Sequence, residues 1–258
     1  MLKFSLFIKL SLVAMLLSLG VFASVAYANH TWSGYHWVRA QNPFTLKLGD
    51  NVSSSWDAYL ATTSSDWSAS SVLDTAIVTG QGRVNCRAVS GRVEVCNKKY
   101  GNNGWLGIAQ VWVNGAGHIT QGTVKVNDTY FNTPTYNTPA WKNLVMCQEV
   151  GHTLGLDHQD ENFSNPNLNT CMDYSNDPST NQHPNAHDYE ELAAIYAHLD
   201  STTTLNANLP KGNGLDVNLD NPSNWGQSLR EDSKGKDSLF GRDLGSGMKL
   251  FTFVIWAK

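Results

Sequence analysis

A chain of 258 residues with 41% hydrophobic content and nine Trp holds enough apolar material for one packed globular unit with an appendage. Its formal net charge of −4 argues against nucleic acid or an anionic membrane as a partner, since both favour a basic surface.

The chain opens with Lys3 and Lys9, then a short apolar stretch from Leu10 to Ala23, then Ala26-Tyr27-Ala28. A positive start, an apolar middle and an A-x-A site make a secretory signal peptide over residues 1–28. The stretch is shorter than the roughly 20 apolar residues of a membrane span. Cleavage before Asn29 would remove two lysines and no acids, taking the net charge from −4 to −6. The expected product is secreted and extracellular, with no membrane association after cleavage.

Phe44-Thr45-Leu46-Lys47-Leu48 alternates like a half-buried strand that ends at Gly49-Asp50-Asn51. Ser54 to about Thr62 fits a helix and Val72 to Val78 a strand. Val84 to Val95 reads as a hairpin around Ser90-Gly91, and Trp105 to Val113 as a strand. Gly122 to Phe131 alternates again through Val124 and Val126. Thr138 is an N-cap with Pro139 at the first helical position, which starts a helix expected to reach Leu154. Leu192, Ile195, Tyr196 and Leu199 fall at i, i+3, i+4 and i+7, one buried face of a last helix. Residues 201–236 are polar and carry Pro210 and Pro222, as a linker does. Leu239 to Trp256 reads as a hairpin turning at Gly245-Ser246-Gly247. A lone hairpin is unstable in water, so Phe251, Phe253 and Trp256 should dock on the main unit. The expected division is a signal peptide at 1–28, a main domain at 29–200 and a linker with hairpin at 201–258.

The chemistry concentrates in Gln148-Glu149-Val150-Gly151-His152-Thr153-Leu154-Gly155-Leu156-Asp157-His158. Residues four apart on a helix share a face, so Gln148 and His152 can point at one metal ion. Glu149 lies about 100° around the helix, beside the ion, where a general base belongs. Were the helix to continue, His158 would be turned away; Gly155 can take the left-handed conformation that ends helices and redirects the chain.

This run resembles the H-E-x-x-H-x-x-G-x-x-H signature of the metzincin metalloproteases, with Gln148 at the first histidine. Cys171-Met172-Asp173-Tyr174 resembles the metzincin Met-turn. The chain is thus similar to a secreted, matrixin-like metzincin, most clearly from about Gly104 to Leu199 and more weakly back to Tyr35. The resemblance implies an α+β, metzincin-like zincin fold. That fold would have a twisted, mostly parallel sheet, an active-site helix, the Met-turn and a C-terminal helix, here with a linker and β-hairpin added. It implies Gln148, His152 and His158 as metal ligands, Glu149 as general base and Met172 as an apolar floor. Gly155 supplies the turn. Tyr174 either touches the metal or the tetrahedral intermediate, or packs beneath the site. The strand at Gly122 to Phe131 would rim the cleft and pair with an extended substrate. One catalytic zinc is expected, or another divalent ion, because an amide oxygen is a harder and weaker donor than imidazole.

Four cysteines in an exported chain suggest two disulfides with three connectivities. Cys86–Cys96 would staple the hairpin, and Cys147–Cys171 would tie the helix to the Met172 turn; these are favoured. No P-R-C-G segment is visible, so a matrixin-type inhibitory prodomain is not expected. His30, His36 and His118 read as surface or structural, and His183 and His187 as flanking a helix start. Asp157, Asp160 and Glu161 read as solvated loop acids. The functional expectation is a monomeric metalloendopeptidase acting on protein or peptide. The competing reading is a catalytically inactive secreted binding or structural protein, with Gln148 as the cause.

Overall fold

The computed structural model describes residues 29–82, 86–205 and 217–258. The signal peptide, the start of the expected 84–95 hairpin and part of the expected linker lie outside the described residues. In chain order the strands are β1 (His36–Trp37), β2 (Phe44–Asn51), β3 (Leu73–Thr79), β4 (Val93–Lys98), β5 (Trp105–Val113) and β6 (His118–Asn127). Three more follow near the C-terminus: β7 (Gln227–Glu231), β8 (Asp237–Gly245) and β9 (Met248–Trp256). The helices are α1 (Asp57–Trp67), the single turn α2 (Asp128–Phe131), α3 (Pro139–Thr153) and α4 (Ala186–Ile195). None is long and apolar enough to cross a membrane.

The strands form one nine-stranded sheet in the order β3-β2-β4-β6-β5-β9-β8-β7, with β1 pairing β6 off this path. β3, β2, β4, β6 and β1 pair in parallel, whereas β6–β5, β5–β9, β9–β8 and β8–β7 are antiparallel. This corrects the expected fold class. The molecule is a mixed, mainly β structure with few helices, not a metzincin-like α+β fold built on a mostly parallel sheet. The physical reason is β9, whose sequence is apolar on both faces. Phe251, Phe253 and Ile255 enter the main core, while Val254 and Trp256 pack with Trp105, Ile108, Trp225 and Phe240 on the opposite face. A strand buried on both faces belongs inside a sheet. It therefore pairs along β5, and the polar, exposed β7 becomes the edge.

Three local expectations also change. No strand forms over residues 86–92; β4 pairs in parallel with β2 and β6 instead of folding back as a hairpin. Its Val93, Glu94, Val95 and Cys96 are all buried, as suits a central strand. β6 lies between β4 and β5 and so cannot be the edge that receives a substrate. Leu199 lies beyond α4 and is 58% exposed, so the apolar face closes at Tyr196. Both disulfides, Cys86–Cys96 and Cys147–Cys171, are present, and the described cysteines include no free thiol.

Candidate metal centre

Thr138 caps α3, its side chain accepting from the Trp141 amide at 3.3 Å, with Pro139 in the first turn. From Leu144 to Thr153 every residue of α3 is buried, packed between the sheet and α1; Trp67 of α1 donates its indole N–H to the Cys147 carbonyl at 3.1 Å. The helix ends at Thr153. Gly155 then takes φ +101°, and a Cβ there would lie 2.5 Å from the Tyr35 carbonyl oxygen. Both the conformation and the space require glycine. The turn brings His158 back to His152.

The two imidazoles meet edge-to-face, with their Nε2 atoms 3.0 Å apart. His152 Nδ1 lies 2.9 Å from the Leu156 carbonyl oxygen, which can only accept, so Nδ1 carries the proton. His158 Nδ1 lies 2.6 Å from Glu161 Oε1 and donates to it in the same way. When both rings are neutral, each Nε2 is left with a lone pair facing the other. Burial, then the neighbouring His158, pushes the His152 pKa well below its ordinary value, so His152 is a neutral imidazole. Burial is the largest influence and acts to raise Glu161, but the His158 hydrogen bond together with the neighbouring His158 and Arg230 charges holds that carboxyl below its ordinary value.

Gln148 sits one helical turn before His152. Its Nε2 donates to the Cys171 carbonyl at 2.9 Å, a carbonyl fixed by the Cys147–Cys171 disulfide beside it. Gln148 Oε1 is buried without a hydrogen-bond partner. Met172 is fully buried against α3, where Gly151 makes room for it: a Cβ at Gly151 would lie 2.6 Å from Met172 Sδ. Glu149 lies over Gly107 of β5, where a Cβ would stand 2.9 Å from Glu149 Oε1. Neither Glu149 oxygen makes a hydrogen bond of normal geometry, although the amides of Ala109 and Ile255 lie nearby. Burial pushes its pKa well above the ordinary value, and those amides offset this only in part. The two imidazole nitrogens converge, and the Gln148 amide oxygen one helical turn back is buried without a donor; nitrogen and neutral oxygen donors of this kind suit a divalent ion.

The C-terminal strands seal this set. Phe253 of β9 stacks on His152 with centroids 4.0 Å apart and planes within 9°. Tyr174 packs its ring 4.3 Å from that of His158 and donates its hydroxyl to the Val254 carbonyl at 2.9 Å. In this conformation Tyr174 is a packing and tethering residue. Arg230 of β7 reaches Asp157 Oδ2 at 2.5 Å and Glu161 Oε1 at 2.9 Å, with Nη2 3.3 Å from His158 Nδ1. Asp157 and Glu161 are thus ion-paired, not solvated. Glu149 is 0% exposed, Gln148 and His152 1% and His158 8%. Arg230 was missed as a site residue in sequence, while Phe253 was read there only as a docking aromatic and Glu161 as a solvated loop acid. The one signal was that the aromatic face of the last hairpin had to dock somewhere.

No protein-family model matches the chain, and no curated protein matches it significantly. Among solved structures, the chain is similar to myroilysin, at 11% identity over 62% of this chain and 82% of that one, with a TM-score of 0.34. It is also similar to the GM1-bound form of the ECX AB5 holotoxin, at 15% identity over 60% and 80%, with a TM-score of 0.37. Likenesses at these scores carry no argument about what this chain does.

Proposed function

We propose that the chain is a secreted, metal-dependent endopeptidase held in a closed form by its own C-terminal strands. The observation that carries the reading is the pair of Nε2 lone pairs aimed at each other across 3.0 Å, with both Nδ1 protons committed elsewhere. Two neutral imidazoles facing each other at that distance are held by a shared proton or by a metal cation, and we take the metal. His152 and His158 would hold the ion, zinc in the first instance, with the unpartnered Oε1 of Gln148 as the third donor. A bound divalent ion polarises a scissile carbonyl and lowers the pKa of a water toward ~7. Glu149 would be the residue to take a proton from the attacking water and pass it to the leaving amine. Burial pushes the Glu149 pKa well above its ordinary value, so it would act as a base once water reaches it or a cation's charge favours its ionised form. Two disulfides and the signal-peptide pattern support export.

The runner-up is an inactive binding or structural protein, favoured by the same closure and by the Gln148 amide tied to Cys171. Metal analysis of the purified protein and cleavage of an unstructured protein substrate separate the two. The proposal expects bound zinc and cleavage that is lost with chelator and in Glu149→Ala. Cleavage that persists in Glu149→Ala refutes the mechanism, and a protein that holds no metal at His152 and His158 is the inactive one.

A further inference from the structure

A second group of donors lies between the N-terminal segment and α4. His187 and Glu191 are four residues apart on α4 and share a face. His30 enters from the segment before β1, and one ligand atom from each of the three residues lies within 4.8 Å of the others. His30 is 4% exposed and Glu191 6%.

The hydrogen bonds around His30 fix which nitrogen is on offer. Nδ1 lies 3.2 Å from the Asp157 carbonyl oxygen, so the proton sits there and Nε2 carries a lone pair. That Nε2 makes no hydrogen bond, and Asp188 Oδ1 stands 3.5 Å away. Asp188 is engaged by other partners. Its own oxygens accept from Gln159 Nε2 at 2.8 Å, Thr170 Oγ1 at 2.5 Å and the Asn185 amide at 2.8 Å. Glu191 Oε1 is also buried without a hydrogen bond of normal geometry, although the His30 amide lies nearby. An imidazole lone pair and a carboxylate oxygen therefore converge as acceptors in a place water hardly reaches, an arrangement a cation relieves.

We propose that His30, His187 and Glu191 form a second divalent-metal site, separate from the His152–His158 pair. Two imidazole nitrogens and one carboxylate oxygen suit zinc or a neighbouring first-row ion. The ion fastens the N-terminal segment to α4. It also steadies the His158 loop, because the Asp157 amide donates to the His30 carbonyl at 2.7 Å while Asp157 accepts from the His30 ring. His30 is thus a positioning residue for a loop it does not belong to.

The test uses the full protein carrying His152→Ala and His158→Ala, so that the first pair cannot bind, and titrates Zn²⁺ alone. One equivalent should still bind, and zinc should raise the melting temperature of this protein. Adding Glu191→Gln, which keeps side-chain size, should weaken binding by about 10-fold or more and abolish the thermal shift. His30→Gln, which leaves α4 untouched, should do the same. If the double-alanine protein binds no zinc up to ~100 μM, or if both added substitutions leave affinity unchanged, the second site does not exist. Because the background lacks the first pair, this outcome is independent of whether the chain is a peptidase.

Discussion

Arg230→Ala tests whether the C-terminal strands restrain activity. Arg230 stands on the outermost strand β7, and its guanidinium bridges Asp157 at 2.5 Å and Glu161 at 2.9 Å, the two acids flanking His158. Charge-assisted hydrogen bonds of this kind contribute about 1.5–3 kcal/mol each. The Arg230 side chain is 29% exposed and both acids 17%, and solvent screening brings the pair to about 2 kcal/mol together. Lifting β7, β8 and β9 away from the site loses these contacts. Their removal should make lifting about 30-fold easier, since ~1.4 kcal/mol is a factor of ten. If a peptide reaches His152 only when Phe253 leaves it, cleavage of a labelled, reduced protein should accelerate by up to the same factor. The assay is the initial rate for zinc-loaded wild type and variant, with zinc content measured in both and Glu149→Ala as the blank. Hydrogen exchange over Met248–Trp256 reports the lifting itself. Faster exchange without faster cleavage would refute the idea that closure limits activity. Unchanged exchange would show that Arg230 is no latch.

Four further outcomes follow from the site. Glu149 carries a folded-state pKa well above its ordinary 4.5, so it takes up a proton on folding, and its contribution to stability falls as pH rises above that value. Metal-free Glu149→Gln should therefore melt above metal-free wild type at pH 8, the gap shrinking by about 1.4 kcal/mol per pH unit toward acid; a pH-independent gap refutes the assignment. Gly155→Ala places a Cβ 2.5 Å from the Tyr35 carbonyl at φ +101°, and urea unfolding should show a loss of about 2 kcal/mol or more. Replacing Cys147 and Cys171 together by Ser should cost about 3 kcal/mol and weaken zinc binding through the freed Cys171 carbonyl. Gln148→His should tighten zinc and Gln148→Ala loosen it by about 10-fold or more; equal affinities would remove Gln148 from the ligand set.

Local signals in the sequence carried α3 and its turn. The Thr138-Pro139 start, the glycine stop and the spacing of His152 and His158 all act within one or two helical turns, and the structure starts α3 at Pro139, ends it at Thr153 and brings the two histidines together. The sheet was a different matter. The apolar run along Met248–Trp256 reads as a hairpin arm whether it stands apart or inserts, and only the β5 edge, more than a hundred residues away, decides which. Ser90-Gly91 does form a turn, with Gly91 at φ 79°, but β4 after it, buried on both faces, pairs in parallel with β2 and β6 instead of folding back. Glu94 is buried there with Arg92 and Asn51 as its partners, which no alternation pattern anticipates. Arg230 was invisible for a related reason: a single charge in a polar stretch acquires meaning only from the acids it meets.

For closure to be reversible, the donors must keep their places when the C-terminal strands leave. The His158 loop meets that condition, because most of what fixes it lies outside those strands. The Trp32 amide donates to the Gly155 carbonyl at 3.0 Å and the Asp157 amide to the His30 carbonyl at 2.7 Å, so the N-terminal segment grips one side. On the other side the Gln159 amide donates to the Met172 carbonyl at 2.7 Å and the Tyr174 amide to the Asp160 carbonyl at 3.0 Å. The Cys147–Cys171 bond then joins the Met172 segment to α3. Lifting β9 would strip Phe253 from His152 and the Val254 carbonyl from Tyr174, yet leave this backbone frame intact. The freed Tyr174 hydroxyl would then stand beside His158, able to donate to a substrate oxygen. Tyr174→Phe therefore weakens closure and removes that donor at once. In an Arg230→Ala background already largely open, only the second loss remains, and kcat should fall with little change in KM.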